Sequence, residues 1–179
     1  MGGGQFNFVL TCLPINVKGD RDAVPILRLK NHYTPEEEEW IRGKFMVVPK
    51  PSPYRYTLFE WRGLYFSTYY CYELADINHR IFFYSMVDLI CAPVWNADTH
   101  YYSNIIESAS RDMHCYLLQV NTSQYGDTRV TRPTDHIRKD KANVKGGTVY
   151  DYKVTLLVSD IEIGKLREFQ ILDYPHKNF

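Results

Sequence analysis

A strand that runs into a helix at a single cysteine constrains this chain more than any other feature. The run Gly63-Leu64-Tyr65-Phe66-Ser67-Thr68-Tyr69-Tyr70-Cys71-Tyr72-Glu73 is apolar and aromatic, delivers Cys71 near its end, and leads into a polar stretch with helical spacing. A chain that leaves a strand for a helix at such a point belongs to the layered α/β folds. The tight turn exposes the side chain at its apex and leaves nearby N–H groups to meet a negative charge, which suits a nucleophile. A cysteine in apolar surroundings is otherwise a small buried hydrophobe, so the rest of the chain decides between the two readings.

The remaining pattern supports alternating strands and helices. Residues 6–12 and 24–29 read as strands joined by a turn at Lys18-Gly19-Asp20. Thr34 offers an N-cap, Pro35 suits the first helical position and Glu37 completes a capping box, which predicts a helix over 35–42. The acidic cluster from Glu36 to Glu39 fits the positive end of that helix. Pro49-Lys50-Pro51-Ser52-Pro53 is a loop. Residues 54–60 and 64–70 read as strands linked by Trp61-Arg62-Gly63, 74–84 as a helix, 88–92 as a buried strand and 115–121 as another strand. Residues 99–112 form the clearest amphipathic helix, with Tyr102, Ile105, Ile106 and Ala109 on one face. Residues 132–147 are polar and turn-rich; a strand over 148–158 and a helix over 163–169 close the pattern. The whole reads as an α/β layered sandwich, with no internal repeat.

Composition narrows the function classes. The 179 residues suit one domain with a buried core. Twenty-one basic and 21 acidic residues leave no electrostatic footprint for nucleic acid or an anionic membrane. The basic stretch of Arg129, Arg132, Arg138, Lys139, Lys141 and Lys145 is interrupted by Asp135 and Asp140 and reads as a solvated loop. No apolar run is long enough to cross a bilayer, and the N-terminus lacks a signal-peptide plan. Cys12, Cys71, Cys91 and Cys115 sit in strand-like contexts without metal or disulfide spacing, which fits a reducing cytoplasm. His79, His100, His114 and His136 are scattered, so no metal site is expected.

Upstream of the cysteine stands Lys30-Asn31-His32-Tyr33-Thr34-Pro35-Glu36-Glu37-Glu38. This segment and Cys71-Tyr72-Glu73 together resemble the nitrilase, or carbon–nitrogen hydrolase, superfamily, whose lysine segment reads Lys-x-His-Leu-x-Pro-x-x-Glu and whose nucleophile segment reads Cys-Tyr-Asp/Glu. Val87-Asp88-Leu89-Ile90-Cys91-Ala92-Pro93 resembles the family's next core strand, and Gln119-Val120-Asn121 with Gly126-Asp127-Thr128 its later strand and turn. The resemblance covers roughly residues 6–170. It implies an αββα sandwich and hydrolysis of a small non-peptide amide or nitrile through a cysteine thioester. Cys71 would be the nucleophile, Lys30 the fixed positive charge and Glu38 the carboxylate that holds the Lys30 ammonium. Tyr72 would lend its N–H to an oxyanion hole, and Glu73, Trp95 and Asn96 would line the substrate pocket. The resemblance implies no cofactor and a homo-oligomer.

The departures from the family pattern matter as much. The family's general-base glutamate lies well upstream of the lysine, whereas the residues before Lys30 include Asp20 and Asp22 but no Glu. The chain therefore reads as the C-terminal two-thirds of a nitrilase-like domain, incomplete at its N-terminus and inactive as this fragment. The family's Arg-Phe-Pro-Glu is replaced by Ala75-Asp76-Ile77-Asn78, and its Arg-Ala-x-Glu-Asn by Ser108-Ala109-Ser110-Arg111-Asp112. These changes mark a divergent branch. The alternative reading is a non-catalytic assembly module of a larger bacterial protein, similar to the nitrilase-like domains fused to antiviral reverse transcriptases.

Overall fold

The structure is a computed structural model that describes residues 3–134, 137, 139–146 and 158–172. The chain forms two compact units, Met1–Thr57 and Leu58–Phe179.

In the first unit β1 (Phe8–Val17) and β2 (Asp20–Leu29) pair antiparallel, with Phe8 opposite Leu29 and Val17 opposite Asp20. Lys18 and Gly19 turn the chain with φ of 53° and 91°, the mirror-image turn whose twist matches that of the flanking strands. This tight closure carries the ladder to the turn itself, so both strands are longer than the sequence pattern suggests. Next comes α1 (Pro35–Gly43), which starts as expected: Thr34 accepts the Glu37 N–H, and the Glu37 carboxylate accepts the Thr34 N–H. Ile41 anchors the helix in a small apolar cluster with Tyr33 and Val48.

The second unit is built on a six-stranded sheet in the order β3-β4-β5-β6-β7-β8. β3 (Phe59–Trp61) and β4 (Leu64–Thr68) form a hairpin through Arg62 and Gly63, again with positive φ at both. β4, β5 (Leu89–Val94) and β6 (Tyr116–Asn121) are parallel; β7 (Thr128–Thr131) and β8 (Asp140–Val144) complete an antiparallel edge. Parallel neighbours cover the sheet on both faces, so the central strands are mostly apolar, with polar residues towards the C-terminal ends of β4 and β6. Ile90, Ala92 and Val94 stand beside Leu117, Gln119 and Asn121, all buried. This face carries α4 (Thr99–Met113), whose Glu107 reaches Arg129, the register partner of Gln119. On the opposite face Tyr116 and Val130 pack with Leu166 and Phe169 of α5 (Ile163–Leu172). Arg167 fastens α5 to buried Asp88 at 2.7 Å and to the Gly63 carbonyl.

Four sequence expectations change. The strand expected over 54–60 is limited to β3 at Phe59–Trp61. The helix expected over 74–84 is broken into α2 (Tyr72–Ala75), α3 (Ile77–Arg80) and a 3-10 turn (Ile81–Phe83). Asp76 causes the break: it is extended, with ψ 109°, and its carboxylate accepts the Asn78 N–H to start a new helix. The stretch read as turn-rich over 132–147 contains β8, whose Thr131–Asp140 side-chain bond (3.0 Å) and bulge are not visible in hydrophobic alternation. Two residues of the basic stretch are not part of a solvated loop. Arg129 is buried against Asp127, Glu107 and Asp140, and Lys139 pairs with Glu107. The strand expected over 148–158 lies almost wholly outside the described residues, and Val158 is in no strand.

Candidate active site: a cysteine elbow and a tethered lysine

Cys71 occupies a strand-to-helix elbow. Beyond the end of β4 the Tyr69 N–H donates to the Cys91 carbonyl (3.0 Å) and the Cys71 N–H to the Pro93 carbonyl (3.2 Å). The parallel ladder with β5 thus continues to the cysteine itself. There the backbone reverses, with φ 33° and ψ −99°, a conformation that costs a non-glycine residue about 1–3 kcal/mol. The Cys71 carbonyl accepts the Leu74 N–H (3.1 Å) and the Tyr102 hydroxyl. Of the N–H groups that open α2, Glu73's goes to the Tyr70 carbonyl and Leu74's to Cys71, which leaves Tyr72's with no acceptor among the described residues.

The elbow lies at the C-terminal ends of the parallel strands, where open α/β sheets carry their sites. Trp95 and Asn96 follow β5 at the same edge. Trp95 is 75% exposed, and Asn96 directs its side-chain oxygen to the Asp98 N–H (2.9 Å). Glu73 is fully buried, and its carboxylate accepts the Tyr70 N–H at 2.7 Å, bracing the turn from its N-terminal flank. Tyr72 is part-exposed beside it. Two further residues were not singled out as site residues by the sequence. Asn121, buried at the end of β6, accepts the Asn96 and Thr122 N–H groups and donates to the Asn96 and Gly126 carbonyls, so it ties the loop after β5 to the turn after β6. Tyr102 was visible only as a ring on the apolar stripe of its helix. The signal available for Asn121 was a polar residue at the buried phase of a core strand.

In the first unit Lys30 directly follows β2 and is only 1% exposed. Its ammonium contacts both oxygens of Glu37 at 2.6 Å and lies 4.9 Å from the Tyr33 ring centre. The carboxylate that holds it is therefore Glu37, where Glu38 was expected. The helix geometry explains the change: Glu37 at the third helical position points back over the N-cap, where Lys30 sits. Glu38 is rotated on and pairs with Arg42 (2.8 Å) and Lys50 (2.9 Å). Those two cations hold the Glu38 carboxyl below the usual range, Lys50 contributing most. One carboxylate, Glu37, thus closes the capping box and neutralises the buried lysine. The His32 ring meets the Tyr54 ring at a 41° tilt, with centres 4.6 Å apart, and Asn31 clamps the Arg55 backbone.

The other thiols differ from Cys71 in setting. Burial pushes Cys91 up to about 11 and Cys115 higher still. In the second unit His79 and Asp76 approach at 3.8 Å.

No protein-family model matches the sequence, and no curated protein does. Solved structures do match. XC1258 from Xanthomonas campestris, a CN-hydrolase superfamily protein with an arsenic adduct in its active site, gives a TM-score of 0.62 at 12% identity over 94% of this chain and 69% of that chain. A variant of the amidase from Nesterenkonia sp. AN1, with the acetamide moiety of fluoroacetamide on its active-site cysteine, gives 0.60 at 16% identity over 82% of this chain and 53% of that one. An amidase structure from Nesterenkonia sp. gives 0.55 at 14%, over 69% and 47%. At such identities the match speaks to fold. This chain has the α/β fold of the CN-hydrolase, or nitrilase, superfamily, as its motifs implied, and it spans about half to just over two-thirds of those proteins' length.

Proposed function

We propose that this chain is a carbon–nitrogen hydrolase-like domain in which the Cys71 sulfur attacks a small non-peptide amide or nitrile. The observation that carries the reading is the strained Cys71 elbow at the C-terminal edge of parallel strands, with an open N–H beside it. In this reaction the sulfur bonds to the substrate carbon, the π electron pair moves to oxygen or nitrogen, and the Tyr72 N–H meets the developing charge. With an amide, the amine takes a proton and leaves, giving a thioester; with a nitrile, the thioimidate first adds water and then loses ammonia to give the same thioester, which a further water hydrolyses. We assign Lys30 the fixed positive charge that stabilises thiolate and oxyanion, with Glu37 as the carboxylate that keeps it in place. Trp95 and Asn96 bound the substrate side. Tyr72 and Glu73 shape the turn.

Turnover also requires a base that takes the thiol proton and later activates water. No glutamate precedes Lys30 in this sequence, so these 179 residues on their own form covalent adducts without turning over. Acrylamide is the probe, since in a mutant of an amidase of this fold it adds to the active-site cysteine. The expected result is acrylamide addition at Cys71 faster than at exposed Cys12, read by peptide mass spectrometry, with no ammonia released from acetamide. Equal rates at the two cysteines would remove the nucleophile assignment. Ammonia release abolished by Cys71→Ala would show that the base lies within these residues.

One observation favours a second reading, as an assembly module. Phe6, Phe8, Leu10 and Leu27, each more than half exposed, make one apolar face on the β1–β2 hairpin. Such a face invites another chain, and a homo-oligomer is the form we propose. A monodisperse monomer by light scattering would count against it.

A further inference from the structure

Tyr102 lies on the buried stripe of α4 and is 3% exposed. A ring in that position needs no hydroxyl to pack. Its hydroxyl reaches one main-chain atom, the Cys71 carbonyl oxygen. That oxygen belongs to the peptide unit joining Cys71 to Tyr72, and the other end of the unit is the Tyr72 N–H assigned above to the oxyanion. From the opposite flank the buried Glu73 carboxylate takes the Tyr70 N–H. Two buried side chains thus brace the elbow, and Tyr102 is the one that touches the peptide bearing the open N–H. Burial first, then the neighbouring Cys71 and Glu73, push its phenol above the ordinary range, so it stays protonated and donates.

The geometry points to Tyr102 as a positioning residue of this site: through the Cys71 carbonyl it fixes the strained Cys71–Tyr72 peptide and polarises the Tyr72 N–H toward an oxyanion. The inference rests on the nucleophile reading above. Two physical effects carry it. A hydrogen bond accepted at a peptide C=O draws electron density along the amide and strengthens donation at the same unit's N–H. A peptide held in place also keeps its N–H aimed without reorganisation as charge develops. Loss of one neutral hydrogen bond, about 1 kcal/mol, corresponds to roughly fivefold in rate.

Tyr102→Phe removes the hydroxyl and keeps the ring, and two reagents separate the outcomes. With acrylamide the Cys71 sulfur bonds to the β-carbon, the electron pair moves to the amide oxygen as an enolate, and a solvent proton then adds to the α-carbon. With iodoacetamide the sulfur bonds to the methylene carbon and iodide leaves with its electron pair, so no charge builds on the amide oxygen. The expected result is an acrylamide rate at Cys71 lower by roughly fivefold, with the iodoacetamide rate and its pH profile unchanged. Equal slowing with both reagents, or with neither, overturns the inference. Should Tyr102→Phe fail to fold, fluorotyrosine at position 102 tests the same bond from the other side. A more acidic phenol is the stronger donor, so the acrylamide-to-iodoacetamide ratio should rise, and an unchanged ratio overturns the inference. If wild-type Cys71 adds acrylamide no faster than Cys12, the nucleophile reading fails by itself. The Tyr72 amide proton resonance then decides Tyr102: it should move upfield in Tyr102→Phe, and a stationary resonance excludes the coupling.

Discussion

Lys30 and Cys71 are held by opposite means. The lysine is placed by side chains: a buried ammonium against the Glu37 carboxylate and near the Tyr33 ring. The cysteine is placed by main chain, its N–H on the Pro93 carbonyl and its C=O under Leu74 and Tyr102. The difference follows from what each group must do. A charge removed from water is stable only beside an opposite charge, so its position depends on the carboxylate it keeps, here Glu37. A thiol needs only to be aimed, and a strained backbone does that whatever the side chain is. The lysine position should therefore be fragile to one substitution nearby, and the cysteine position tolerant of replacing the cysteine itself.

The largest effect should come from Glu37→Ala. It takes the Glu37 carboxylate away from the buried Lys30 ammonium and opens the capping box. Breaking a buried pair costs about 3–5 kcal/mol, reduced here because the Glu37 side chain is 35% exposed; with the lost cap we expect about 3 kcal/mol. Glu38→Ala, one residue on, should cost within about 0.5 kcal/mol, because its partners Arg42 and Lys50 are exposed. Urea midpoints of the two variants measure the contrast, and equal shifts would break it. Lys30→Met combined with Glu37→Gln sharpens it, since removing both charges should recover much of the loss.

A second effect concerns the core thiols of the second unit. Burial raises Cys91 from 9.0 to about 11, and Cys115 further. In the unfolded chain these thiols ionise near their ordinary values, so above about pH 9 the unfolded state binds fewer protons than the folded one. Stability then falls as pH rises, by up to about 1.4 kcal/mol per pH unit for each thiol, and for Cys91 the fall ends near pH 11. Cys91→Ala should flatten the part of this decline that Cys91 contributes. Thermal melts in alkaline buffers read the slope. An unaltered slope would mean that Cys91 is not protected as its burial implies.

The sequence carried some of this plainly. The capping box of Thr34 and Glu37, the Lys18-Gly19 turn, the 99–112 helix and the strand-to-helix placement of Cys71 are local, written in turn chemistry and periodicity. What it missed depends on where side chains point once helices exist. Register with the family motif selected Glu38, yet a third-position glutamate in a capping box turns back toward the residues before the cap, and that rotation gives Lys30 to Glu37. Tyr102 read as a core ring because hydrophobic patterning counts the ring and ignores the hydroxyl. Asn121 and β8 were obscured for a related reason, since polar side chains that bond across strands do not alternate as apolar ones do.

The smallest effect tests the cysteine side of the comparison. At φ 33° and ψ −99° the strain lies in the backbone, so any side chain with a Cβ carries it and glycine does not. Replacing Cys71 with Ala should leave stability nearly unchanged, because the strain remains and only a half-buried sulfur is lost. Cys71→Gly relieves about 1–3 kcal/mol of strain, against roughly 0.5–1 kcal/mol for the added freedom of the unfolded chain. The net expectation is stabilisation by about 1 kcal/mol, read as a higher urea midpoint with an unchanged slope. If glycine instead destabilises the protein relative to alanine, the elbow is not strained. Cys71 would then be held by its side chain after all, in the manner of Lys30.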